Sequence, residues 1–234
     1  MTLSMWVDTP PFDKLQVRQA MKLVVDRQKM VEAALLGNGA PGNDNPVPPN
    51  SPDAYRSDII PRNVDRAKEL LKEAGYPDGL SVDLYTSDSI STMVPVAQLY
   101  QQMAAEAGIT VNIIMSPADS YWNEIWLKRP FITSNWGGRP TAEALSIAYL
   151  SDAEFPETHW YRKDYDELIA RANGTVDPEA RRKIFQEAQK LLAEEGGVIV
   201  PAFAAVSAAM RDGCSGYEPN NNVNNNDFSA FQCE

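Results

Sequence analysis

Asn135-Trp136-Gly137-Gly138-Arg139 bring an amide, an aromatic face and a guanidinium into one short turn. The amide both donates and accepts, the indole stacks on apolar or planar groups, and the guanidinium grips carboxylates or phosphates through a two-pronged fork. That chemistry holds a solute without altering it. A plainer reading stays open, in which Trp136 closes a core and Arg139 pairs with a surface carboxylate. Two other stretches could converge on the same place: Ser87, Asp88 and Ser89 in a polar segment, and Tyr121-Trp122 before an apolar run. The last two residues equally suit packing at helical spacing.

Bond-changing chemistry has few carriers here. There is no Gly-x-Ser-x-Gly elbow and no phosphate-binding loop, and Gly37-Asn38-Gly39 reads as a helix stop. The single histidine, His159, lies in FPETHWY, where ring stacking or a loop hydrogen bond suits it. A competing reading is an α/β hydrolase that uses a carboxylate with His159. Acidic neighbours such as Glu194-Glu195, or Asp152 with Glu154, look like solvated faces. Metal-ligand spacings are absent, so neither a metal nor a cofactor is expected, and the chain reads as a binder rather than an enzyme.

Recognition groups need strands that end at one rim. Leu80–Tyr85 and Thr110–Met115 read as strands, as does the run Phe131-Ile132-Thr133 that ends at Gly137-Gly138. Helices are expected over Asp13–Leu36 with Asp13 as N-cap, Asp65–Ala74, Met93–Ala107, and from Asp119 as cap to Leu127. Others are expected from Thr141 to about Leu150, over Asp164–Asn173, and over Pro178–Glu195 with Asp177 as cap. Ile199–Phe203 reads as a further strand. Residues 1–13 look extended, and residues 40–62, with six prolines, form a long loop. This alternation predicts an α/β fold with a mixed, mostly parallel sheet and helices on both faces. In such sheets solutes bind beyond the carboxyl ends of the strands, where the loops after residues 85, 115 and 134 would meet.

Composition narrows the partners. The 234 residues are 44% hydrophobic and 23% charged, ordinary for a globular protein, and the net charge is −11. Such acidity repels nucleic acid and anionic membranes. No apolar run is long enough to span a bilayer. The opening MTLSMWVDTPPF lacks the features of a secretory signal, which leaves a cytoplasmic protein or a piece of a longer one. Cys214 and Cys233, the only cysteines, flank a polar Asn-rich segment. A disulfide clamp on that loop is expected, contributing roughly 3 kcal/mol, with two free thiols as the alternative.

The order of features resembles the C-terminal half of the extracytoplasmic solute-binding proteins of peptide-type ABC importers, the dipeptide, oligopeptide and nickel-binding family 5. The resemblance runs along essentially the whole chain. Its most specific part is Pro11-Phe12-Asp13-Lys14-Leu15-Gln16-Val17-Arg18-Gln19-Ala20 followed by Val25-Asp26-Arg27. Supporting stretches are DRAKELLKEAG at Asp65–Gly75, Ala107-Gly108-Ile109, the turn from Trp136 to Pro140, and Asp177–Pro201 with Arg181 and Gln189. Gly42-Asn43-Asp44 and Glu195-Gly196-Gly197 look like the branch that takes peptides or opines.

The resemblance implies a type II periplasmic-binding-protein-like lobe. Residues 1–13 would cross over from an N-terminal lobe outside this chain, 14–204 would form the ligand-binding lobe, and 205–234 would return toward the other lobe. It implies a peptide or other small solute, a membrane permease as partner, and a periplasmic or extracytoplasmic location. Two positions depart from the family pattern. Where many peptide binders carry an aspartate for the peptide amine, this chain has Arg139. The arginine that dipeptide binders use for the carboxylate is missing near Ser87-Asp88-Ser89. Both signs are changed, which implies an anionic solute group at Arg139.

Overall fold

The computed structural model describes residues 1–206, 209–217 and 227–233. The chain enters as β1 (Thr2–Met5), whose four residues are all buried. It then forms α1 (Leu15–Leu23), α2 (Arg27–Lys29) with a π-helical turn over Met30–Ala34, and the short β2 (Gly39–Pro41). After a long loop come α3 (Val64–Glu73), β3 (Leu80–Thr86), α4 (Met93–Ala105), β4 (Ile109–Met115), α5 (Tyr121–Glu124) and β5 (Phe131–Ser134). Three helices follow, α6 (Thr141–Ser146), α7 (Lys163–Gly174) and α8 (Pro178–Glu195), then β6 (Val198–Ile199) and β7 (Ala202–Ala204).

The main sheet has the order β4-β3-β5-β1-β6. β3 is parallel to both β4 and β5, while β1 runs antiparallel to β5 and β6. Four of the five strands therefore point one way, and β1 alone opposes them. The carboxyl ends of β3, β4 and β5 share one rim, as the sequence pattern predicts. One sheet face carries Leu3, Met5, Leu84 and Phe131 against the apolar sides of α1, α3 and α4. The other is covered over β1 and β6 by α6, α7 and α8, through Leu145, Tyr165, Ile169, Phe185 and Leu192. Over β3 and β4 that second face is not helix-covered. Ser81, Asp83, Thr110 and Asn112 are exposed there, and the Asn112 amide donates to Ser81 Oγ at 3.1 Å and Asp83 Oδ1 at 2.9 Å. A polar strand face needs no cover.

Several expected boundaries move. Asp13 does not cap α1: Lys14 holds that position, and Asp13 belongs to a preceding turn in which its N–H donates to Thr9 O. The expected helix from 13 to 36 breaks at residues 24–26. The break carries Arg27 inside, where it donates to Lys22 O and Val25 O, and Asp26 recaps the chain by accepting from Lys29 N. The helix expected from Asp119 to Leu127 shrinks to α5, which starts after Ser120 and ends before Leu127 enters the left-handed region at φ 59°. α6 stops at Ser146. The strand expected over 199–203 divides at Val200-Pro201. Pro201 cannot donate to a ladder, and Val200 N donates to Asp44 Oδ1, so the chain leaves the main sheet and β7 pairs with β2 instead. Asp177 does cap α8, accepting from Ala180 N at 2.7 Å.

In the tail, β8 (Cys214–Ser215) pairs with β9 (Gln232–Cys233), and Cys214 and Cys233 form the expected disulfide. Most of the Asn-rich segment between them, 218–226, lies outside the described residues.

Candidate functional site

The rim after β5 is an aromatic strip. Tyr121, Trp122, Trp126 and Trp136 stand edge to face in sequence, at centroid separations of 5.3, 5.5 and 6.2 Å. Phe155 closes the far side against Trp126 at 5.1 Å and Trp136 at 5.7 Å. Trp122, Trp126, Trp136 and Phe155 are all half-buried. Edge-to-face contacts of this kind hold rings in fixed orientation while leaving part of each face accessible.

Both inner indole N–H groups point into the protein. Trp126 Nε1 donates to Glu157 Oε1 at 2.6 Å, and Trp136 Nε1 is buried with no partner among the described residues. Trp126 and Trp136 therefore present ring carbon, not donors, at the rim. Glu157 is fully buried, and its second oxygen accepts from Ser4 Oγ at 3.0 Å. One carboxylate thus joins the central strand β1 to the indole that supports Trp136. Burial, with the negative Glu157 nearby, pushes the Tyr149 phenol well above its ordinary range.

The expected residues fare differently. Tyr121 is fully buried; its hydroxyl donates to Thr133 O at 2.6 Å and lies 3.3 Å from Tyr85 O, locking α5 over β3 and β5. It is a core group, and burial pushes its phenol up. Trp122 keeps a half-exposed face in the strip. Asn135 is half-buried, and Gly137 and Gly138 are exposed. Arg139 lies over the Trp136 ring at 5.0 Å, donates from Nε to Glu143 Oε1 at 3.0 Å, and from Nη1 to Gly137 O at 3.0 Å. The surface pairing with a carboxylate is thus present, yet it leaves Nη2 without a hydrogen bond among the described residues. Ser87 is buried and accepts from Ser89 N, while Asp88 is exposed, and neither makes a hydrogen bond or ion pair to the aromatic strip among the described residues.

Trp126, Phe155 and Glu157 were not anticipated. Trp126 stands four residues after Trp122, a spacing that marks one helix face, and Glu157 is a lone acid in an aromatic segment. His159 does have a carboxylate beside it, Asp8, with Oδ2 2.9 Å from Nδ1. The imidazole, however, stacks on Trp6 at 4.1 Å and Tyr161 at 5.7 Å, and no hydroxyl or thiol hydrogen-bonds to it among the described residues. That arrangement anchors a loop and does not assemble a nucleophile and base.

Residues 1–157 match the family model described as bacterial extracellular solute-binding proteins, family 5 Middle. The glutathione-binding protein GsiB of Salmonella typhimurium (strain LT2) is 33% identical over 205 residues, which are 82% of this chain and 40% of that protein. The chain therefore spans well under half the length of the curated relatives it matches. Among solved structures, the periplasmic oligopeptide-binding protein OppAIV of Borrelia burgdorferi superposes with a TM-score of 0.81 at 23% identity, over 100% of this chain and 48% of that one. The binding protein AgaA from A. tumefacien R10, in complex with agropinic acid, gives 0.74 at 24% identity over 87% and 43%. These neighbours share the type II periplasmic-binding-protein fold. Among the described residues no helix is long and apolar enough to cross a membrane.

Proposed function

The chain belongs to the bacterial extracellular solute-binding proteins of family 5, and from that premise we propose that it is the second, ligand-holding lobe of an ABC importer's binding protein. Residues 14–204 form the lobe, 1–13 cross over from an N-terminal lobe, and 205–234 return toward it. The protein works outside the cytoplasm, closes its two lobes on a solute, and is read in the closed form by a membrane permease. It changes no bonds in the solute.

The observation that carries this reading is the half-exposed aromatic strip ending in Arg139 at the shared rim of β3, β4 and β5. Ring faces take the apolar or cyclic part of a peptide- or opine-like solute. The free edge of Arg139, already oriented by Trp136, Glu143 and Gly137 O, takes a carboxylate. Trp122, Trp136, Asn135, Gly137, Gly138 and Arg139 make the first contacts, and Ser87 and Asp88 flank them on the neighbouring loop.

The test uses the full-length gene product. A thermal-shift screen covers peptides, opines including agropinic acid, and glutathione, followed by calorimetry of the best binder. Arg139→Ala is expected to weaken binding by about tenfold or more, one charge-assisted hydrogen bond's worth. Its melting temperature should barely move, because the Arg139–Glu143 pair is exposed. Unchanged affinity would remove Arg139 from the site, and turnover of any bound solute would overturn the reading as a binder.

A further inference from the structure

Beside the rim, the irregular segment Pro46–Pro52 faces the start of α6 across a groove of ≈ 330 Å³. That volume falls at the lower end of small-molecule sites, which begin at about 300 Å³. We propose that the solute site continues from the aromatic strip into this groove, and that the groove takes an extended, carboxylate-ended arm of the solute. The proposal rests on the binding reading above and adds a second wall to it.

The wall is built rather than draped. Asp53, at the end of the segment, accepts from Thr141 Oγ1 at 2.7 Å on the opposite wall and from Arg182 Nε at 3.3 Å on α8. Gln189 Nε2 donates to Asp53 O at 2.8 Å, and its Oε1 accepts from Tyr55 N at 3.1 Å. Gln186 Nε2 donates to Ala54 O at 2.9 Å. At the other end Asn45 Oδ1 accepts from Val47 N at 2.9 Å. Prolines 46, 48 and 52 stiffen what lies between. A loop held at one end by partners some 90 to 140 residues away in sequence, and at the other by its own Asn45 turn, is a prearranged surface.

Its free polar capacity includes one cationic donor and two neutral ones. Arg139, the one charged side chain that lines the groove, keeps Nη2. Asn50 is exposed with its amide uncommitted among the described residues, and the Ser51 hydroxyl, which accepts from Asp53 N, can still donate. Thr141 has already given its proton to Asp53. Three donors between proline walls favour an acceptor without N–H groups of its own, and a carboxylate fits that description.

Full-length protein would be titrated by calorimetry with trialanine, glutathione and agropinic acid, and with trialanine amide as the counterpart without a carboxylate. Asn50→Trp fills the groove from an exposed position. Asn50→Ala with Ser51→Ala removes two donors and leaves the aromatic strip intact. Each is expected to weaken the best acid probe by about fivefold to tenfold, and the double alanine variant is expected to leave binding of the amide unchanged. Wild-type binding with both variants unaltered, or acid and amide weakened equally by the double alanine variant, overturns the groove and leaves the rim reading standing. A wild type that ignores every probe overturns both.

Discussion

The two faces of the main sheet are made of different chemistry. On one, Leu3, Met5, Leu84 and Phe131 meet α1, α3 and α4 in a continuous apolar layer. The charged group taken inside there, Arg27, is matched by Asp44 at 2.5 Å, with both side chains essentially unexposed. On the other, the same strands offer Thr2, Ser4 and Ser134, and the covering segments bring Trp126, Trp136, Glu157 and Thr158. Of the buried polar atoms without a partner among the described residues, only Arg27 Nε lies on the first face. Thr2, Ser134, Trp136, Thr158 and Trp160 belong to the second. Native cores satisfy nearly all such groups, so the difference separates a face built for stability from one that leaves hydrogen-bonding capacity next to the aromatic rim.

The sharpest way to break that contrast is to unbalance the first face. Asp44→Asn keeps the Oδ1 acceptor for Val200 N and tolerates the local φ of +55°, but leaves Arg27 as an uncompensated buried cation. A loss of about 3–5 kcal/mol is expected in urea unfolding. A loss under about 1 kcal/mol would mean that water reaches Arg27 and that the first face is not sealed.

The second face should give less. Glu157→Leu leaves Trp126 Nε1 and Ser4 Oγ without their acceptor, at roughly 1–3 kcal/mol, whereas Glu157→Gln keeps an acceptor for Trp126 and should recover most of it. Because Trp126 braces Trp136, the tryptophan emission of the leucine variant is expected to shift to longer wavelength, and that of the glutamine variant to stay near wild type. Equal losses for both variants would assign the effect to charge rather than to the lost acceptor.

How much of this was readable beforehand follows from range. The strands, α8 with its Asp177 cap and the common rim come from local periodicity and capping, and the family from local motifs. Arg27 as an interior residue was hidden, because its partner lies across an irregular loop and its burial required a helix to break. Tyr121 and Trp122 had the same local pattern, yet only the hydroxyl bonds of Tyr121 to Thr133 O and Tyr85 O decide which one is core. Likewise, Arg139 has its pairing carboxylate at the helical i+4 position, Glu143, while its free Nη2 depends on geometry no spacing encodes. The proposed second wall, Pro46–Pro52, looked like a plain connector because the bonds that tie its far end to α6 and α8 come from residues distant along the chain.

The seam between the two faces supplies the most finely graded comparison. Lys22 of α1 is buried and donates from Nζ to Ala193 O at 2.7 Å and Leu192 O at 3.3 Å, while Arg18 donates to Glu195 O at 2.6 Å. The first-face helix thus caps the carbonyl end of the second-face helix α8, where cations are favoured. Burial, the largest influence, lowers the Lys22 ammonium to about 7, against the partial support of Asp44. In the unfolded chain it titrates near the ordinary lysine value of 10.5. Between those pH values the unfolded state binds more protons than the native one, so stability rises with pH, by at most about 1.4 kcal/mol per pH unit from this group. Below pH 7 both states are protonated and the dependence flattens. Lys22→Met removes the titration, so its unfolding free energy should lose that slope between pH 7 and 10 relative to wild type. Parallel curves for the two proteins would show that the ammonium stays charged in the fold, held by the α8 carbonyls strongly enough to outweigh its desolvation.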